Sequence, residues 1–269
     1  MVYQGLLFNK IMEIFMRNMK PISEATPYLI AAFGIIVIWQ LVVVVIQPSA
    51  AILPSPFKTL STLFDLIQSG ELFIHISSSL SRVVLAWCLA AVIAIPLGLI
   101  QGTNKKFEKI FDPVVELFRP ISPLAWIPLA ILWFGIGESG KIFIIFVATF
   151  FPMLLNTVSG VKAVDPVMVR AGRILGCDTS YKLFIKVILP AAMPTILVGM
   201  RIAFGTGWAA IIAAELVAAQ NGLGFLISEG MEILRSDLVL AGMIVIGVLG
   251  VLIDSIFRLI GKKVNWGQA

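Results

Sequence analysis

The chain has 269 residues, of which 59% are hydrophobic and only 13% charged, with mean hydropathy +1.01 and net charge +5. A soluble domain carries about 25% charged residues, so this composition excludes a soluble globular protein. The apolar runs are continuous and helix-length, which excludes the alternating strands of a membrane barrel.

Residues 5–16 mix apolar and charged side chains, and no small-residue cleavage site follows. They read as an amphipathic helix at a membrane interface rather than a cleaved signal. Six apolar segments come next, at 27–47, 81–101, 120–136, 140–160, 194–218 and 237–260, each near the ~20 residues that cross a hydrocarbon core. The sequence therefore predicts an all-α membrane protein with six transmembrane helices in a single domain, 1–269. Between the first two segments, Phe57, Leu60, Phe64 and Ile67 recur at helical spacing and predict a helix on the membrane surface. The third segment carries Pro120, Pro123 and Pro128. Irregular backbone at membrane depth lines a cavity or is buried in protein, which makes Pro123 and Trp126 candidate path-lining residues.

Fifteen basic residues lie on one side of these segments and four (Lys58, Arg82, Lys141 and Arg235) on the other. The positive-inside rule places both termini in the cytoplasm. The net charge is thus a topology signal and not one for nucleic acid. Two cysteines, Cys88 and Cys177, suggest neither disulfide nor metal, and the single histidine, His75, cannot form a histidine cluster. His75 reads as a structural interface residue.

Residues 162–190 form a cytoplasmic loop with a helical pattern of its own. Asp165 is a good N-cap, Pro166 suits the first helical position and Gly176 stops the helix. Arg170 and Arg173 share a face. A second short helix carries Tyr181, Phe184, Ile185 and Ile188 as an apolar stripe before Pro190.

In the fifth segment Arg201, Trp208 and Glu215 lie seven apart, so they drift only about 20° per step. They form one stripe with Gly205 beside it; the stripe either lines a translocation path, with Arg201 attracting an anion and Trp208 at a constriction, or packs against a neighbouring helix, with Arg201 paired to a headgroup or a carbonyl. Gly205 and Gly207 would admit a close backbone approach. A secondary transporter is the rival from another class, but it needs buried carboxylates as coupling sites. Only Glu215 and Asp254 lie well inside a span, each near an end. A membrane enzyme would need clustered His, Asp or Cys, which the sequence lacks, so no catalytic residue is expected.

The 162–190 loop resembles the Glu-Ala-Ala signature loop of ABC importer permeases. Ala171 matches the first alanine, Gly176 the glycine, and Leu189-Pro190 the closing pair. Arg170 stands at the glutamate position, Gly172 at the second alanine, and the spacing to Pro190 is one residue longer. Leu53-Pro54-Ser55-Pro56, Phe118 through Pro128, Trp133 through Ser139 and Gly222 through Ile227 are similar, in order and spacing, to permeases for nitrate, sulfonates, taurine and bicarbonate. The resemblance implies the type I importer permease fold acting as a dimer in a bacterial inner membrane. It implies docking of an ATP-binding subunit on the loop, at Arg170, Ala171, Gly172, Arg173, Gly176, Leu189 and Pro190. It also implies two ATP-binding subunits, a second permease copy and a solute-binding protein. No cofactor is expected in this chain, since ATP and Mg would be held by the partner.

Overall fold

The computed structural model describes residues 30, 31 and 33–264. The expected N-terminal amphipathic helix, with Lys10, Arg17 and Lys20, lies outside them, as does the start of the first segment. The described residues contain helices and no strand. The helices are α1 (Phe33–Ile46), α2 (Pro56–Ser69), α3 (Glu71–Thr103), α4 (Lys105–Phe118), α5 (Ile127–Phe134), α6 (Glu138–Lys162), α7 (Pro166–Ile174), α8 (Ser180–Leu183), α9 (Leu189–Ala218), α10 (Leu223–Glu232) and α11 (Ser236–Val264).

The centre of the molecule is α3, α6 and α9. They approach closely because small residues recur every four positions on the contact face of α3: Ala86, Ala90 and Ala94 are buried, and Gly98 and Gly102 continue the row. A Cβ at Gly98 would stand 2.7 Å from Thr157 Cβ, and one at Gly102 2.6 Å from Val161 Cβ. Such rows replace the hydrophobic effect as the means of helix association in lipid. On α9, Gly207 does the same against Thr149 of α6, where a Cβ would meet Cγ2 at 2.6 Å. Gly205 has nothing within 4 Å of its Cβ position, so of the pair Gly205 and Gly207 it is Gly207 that serves a close approach within the protomer.

Backbone carbonyls freed in lipid must find donors. Pro152, inside α6, has no N–H for the carbonyl of Ala148 four residues earlier. The Thr206 hydroxyl of α9 donates to that carbonyl at 2.9 Å. The prolyl break in one span thus becomes a bond to its neighbour. Thr149 and Thr157, both fully buried, donate instead to carbonyls of their own helix.

Helix α2 starts on its Ser55 cap with Pro56 at the first position and stops at Gly70, whose φ is +81°. Its apolar stripe, Phe57, Leu60, Phe64 and Ile67, faces away from the protein. Thr59 and Thr62 are the buried side, and the Thr62 hydroxyl donates to Asp237 of α11 at 2.6 Å.

Among the described residues, four helices are long and apolar enough to cross a membrane, or five if one bent pair counts as a span, and α1 is a shorter apolar helix. The third segment, expected over 120–136 and irregular because of its prolines, is broken rather than continuous. The chain makes a 3₁₀ turn at Pro123–Trp126 and then the eight-residue α5. The turn follows α4 after an 82° bend. The prolines at 120, 123 and 128 account for the break, because each removes a backbone donor. Helix α4, capped by Asn104 at the N–H groups of Lys106 and Phe107, occupies the stretch between the second and third segments, for which the sequence reading gives no helix. Helix α3 begins ten residues before the expected boundary at 81. The fifth span is the continuation of α8, with one helical run from Ser180 to Val217, so the second loop helix is no separate element. Its stripe of Tyr181, Phe184, Ile185 and Ile188 runs through a π turn at Phe184–Ile188.

Candidate functional site

The α7 elbow is built by local signals. The Asp165 carboxylate accepts the Val167 N–H at 2.7 Å, and Pro166 fills the first helical position. Gly176 ends the helix with φ +94°, a conformation that costs an L side chain about 1–2 kcal/mol. Gly172 is buried; a Cβ there would sit 2.8 Å from Val187 Cγ2 and 3.2 Å from Leu183 Cδ1. Gly172 thereby lets α7 lie against the start of the α8–α9 run. The Cys177 N–H donates to the Gly172 carbonyl at 3.0 Å and its thiol side is buried, so the elbow is pinned on its inner face.

The other face of α7 is open. Val167, Met168, Ala171, Ile174 and Leu175 follow helical spacing, and all are exposed, Ile174 at 86% and Leu175 at 84%. Arg170 and Arg173 are exposed beside them. A projecting apolar patch rimmed by charge is the form of a protein contact. Leu189 and Pro190 lie where the elbow enters α9, Leu189 half-buried and Pro190 exposed.

The expected path stripe divides on inspection. Arg201, Trp208 and Glu215 do share one side of α9, but that side packs against the rest of the protomer. Trp208 is 7% exposed, its indole N–H donating to the Ile246 carbonyl of α11 at 3.3 Å. Glu215 is 1% exposed and surrounded by donors. Trp208 nonetheless edges a small cleft with Arg201 and Gly205, whereas Glu215 is enclosed within the protomer. Arg201 is half-exposed and ion-paired to Asp254 at 2.5 and 2.9 Å. The open front of α9 is formed by Val198, Ile202, Gly205, Thr206, Ala209 and Leu216. Beside it lies an apolar cleft of about 240 Å³ between Thr206, Ala209 and Ala210 and the broken third segment at Pro123 and Leu124. Trp126 turns instead toward Phe143 of α6, with ring centroids 6.1 Å apart.

Sequence reasoning missed a buried ionic cluster around Arg82. The guanidinium bonds both carboxylate oxygens of Glu138 at 2.5 and 2.8 Å. It also bonds Glu215 at 2.6 Å, the Asn221 carbonyl at 2.9 Å and the Asn221 side-chain oxygen. All five of its hydrogens are thus directed at acceptors. Glu215 also accepts from the Ser79 hydroxyl and from the Gly224 N–H at 2.9 Å, the latter at the positive end of α10. Lys141, itself buried, donates to Glu138 at 2.9 Å. His75 accepts the Gly222 N–H at 3.1 Å, the structural role expected of it. Two carboxylates balance two cations, which is what a buried charge cluster requires. The only legible signal was the placement of Arg82 and Glu215 inside apolar runs.

An all-helical membrane protein with this projecting elbow and close-packed trio of spans has the architecture of a transport permease. Residues 94–266 match the family of the binding-protein-dependent transport system inner membrane component, and the chain belongs to it. It is 37% identical over 251 residues to the taurine transport system permease protein TauC of Escherichia coli (strain K12), covering 91% of each chain. To the putative aliphatic sulfonates transport permease protein SsuC of Bacillus subtilis (strain 168) it is 38% identical, covering 85% of this chain and 83% of that one. The bicarbonate transport system permease protein CmpB of a Synechocystis strain is 30% identical, with 91% of each covered. A chain of the MetNI methionine ABC transporter in an inward-facing form superposes with TM-score 0.63 at 20% identity, over 72% of this chain and 95% of that one. The fold is therefore that of a type I ABC importer permease, and the chain is a multi-pass membrane permease rather than an enzyme.

Proposed function

We propose that the chain forms half of the translocation path of an ATP-driven importer for a small sulfonate or related oxyanion. Two copies enclose the path, two ATP-binding subunits sit beneath, and a solute-binding protein delivers the solute on the opposite face. Both termini lie in the cytoplasm, in keeping with the distribution of basic residues, and the protomer has the six spans that the sequence predicts. ATP and Mg are bound by the partner, with no cofactor in this chain.

The observation that carries this reading is the apolar face of α7, exposed at the end of the molecule where the basic residues gather. Seated in a groove of an ATP-binding subunit, α7 would convert closure of two such subunits into movement of α9, because α8 and α9 are one helix. The open front of α9, with Gly205, Thr206 and Ala209 at its middle, suits apposition to the second copy, with Pro123 and Leu124 beside it. Arg201 stands at the edge of that front, and Gly205 opens space next to it. The sulfonate class rests on the names of the relatives at 37 and 38% identity.

The test is uptake of radiolabelled taurine and methanesulfonate by cells carrying the full transporter. With the proton gradient collapsed and ATP kept high, uptake persists on this account. Uptake that stops with the gradient and survives loss of ATP would contradict it.

A further inference from the structure

A second charged cluster lies between α9 and α11, at the opposite end of the spans from Arg82, and its balance differs. Asp254 is the single carboxylate, paired to Arg201 at 2.5 Å and to Arg258 at 2.8 Å. Two guanidiniums share one carboxylate, so the cluster carries an excess positive charge. Arg201 uses Nε and Nη2 on Asp254, and Arg258 uses the same two atoms. Among the described residues, Nη1 of neither arginine has a hydrogen-bond partner. These groups border a cleft of about 250 Å³ whose walls are Pro194, Leu197, Val198 and Phe257.

At ~1.5 Å per residue, Asp254 lies about 27 Å and Arg258 about 33 Å along α11 from Ser236. A hydrocarbon core is about 30 Å thick. With Ser236 at one hydrocarbon boundary, the cluster falls at the other, beside the headgroups, where an anion with oxygen acceptors is available from either side. Basic pockets between membrane helices at that depth suit phosphate-bearing headgroups. Paired guanidinium edges suit any oxyanion that presents two or more oxygens.

We infer that this cleft is a binding site for an oxyanion of the sulfonate or phosphate type, held between the unused Nη1 groups of Arg201 and Arg258. The carboxylate of Asp254 fixes both guanidiniums and sets the site's charge, so it opposes binding while it positions the donors. The oxyanion has two possible sources, a soluble sulfonate or an anionic lipid headgroup.

The experiment uses the full transporter, permease with its ATP-binding subunits, in phosphatidylcholine nanodiscs. One arm titrates sodium methanesulfonate and the other replaces part of the lipid by phosphatidylglycerol, with thermal unfolding as the readout. The expected result is a saturable rise in melting temperature in one arm, which names the source. Arg258→Gln weakens the apparent affinity roughly tenfold, the worth of one charge-assisted hydrogen bond. Asp254→Asn strengthens it, because the net charge rises while the helices stay paired. That opposite sign separates a binding site from a purely structural ion pair, whose loss would lower the melting temperature in both variants without altering affinity. No saturable response in either arm, or a response that ignores both substitutions, overturns the inference. Binding is read without uptake, so this result stands or falls apart from the transport reading.

Discussion

The two ends of the molecule hold their charges in opposite ways. At the Arg82 end, one guanidinium with every donor used ties α3, α6, α9 and the turn before α10 into a block. At the α7 end, the arginines of α9 and α11 keep donors unused among the described residues, the Lys162–Glu108 pair is partly exposed, and an apolar helix face stands clear of the protein. The closed end satisfies its charges within the protomer. The open end is unfinished as a protomer, which is the condition expected of a surface that another subunit must grip and move.

The largest effect should come from breaking the closed end. Arg82→Met leaves Glu215 buried without its counter-charge, a loss of about 3–5 kcal/mol. It should appear as a sharp fall in melting temperature and in monodisperse yield, and Arg82→Met with Glu215→Gln should recover part of it. A stable single variant would mean that the block is held by packing alone. Next comes the open end, where the reverse pattern is expected. Ile174→Glu with Leu175→Glu should change stability by no more than about 0.5 kcal/mol, the usual bound for surface positions, yet cut ATP-driven uptake at least ~10-fold, equal to about 1.4 kcal/mol of lost docking. Loss of stability without loss of uptake would reverse the assignment of the two ends. Gly176→Val should cost about 1–2 kcal/mol through its left-handed backbone, seen as faster proteolysis at the elbow with the spans intact. Smallest is Lys162→Ala, which removes a partly exposed ion pair worth about 0–1 kcal/mol; a melting temperature lowered by more than a few degrees would show that the open end is also braced by charge.

The same contrast explains what could be read from the sequence. The open end is built from neighbours in the chain. Asp165, Pro166 and Gly176 mark α7 within eleven positions, so its caps and its exit were legible. The long spans α3, α6, α9 and α11 followed from hydropathy. The closed end joins Arg82 to Glu215 across 133 positions, and nothing local announces that pairing. Helix α4 was hidden by its own lysines, since a charged stretch with a good Asn104 cap reads as a loop when charge is weighed before capping. The third span failed because dense prolines predict irregularity without its direction, and the 82° bend had to be seen. The seven-residue spacing of Arg201, Trp208 and Glu215 did put them on one side of α9. Spacing cannot say whether that side meets a cavity, a partner or the helix next door.

Crosslinking from α7 in the assembled transporter tests the central claim most directly. With Cys88 and Cys177 replaced by serine, Leu175→Cys should link to the ATP-binding subunit through a short bifunctional reagent, while Ser139→Cys, exposed beside the Arg82 cluster, should not. A transporter that takes up solute normally yet links to its ATP-binding subunit from position 139 and never from position 175 would contradict the account.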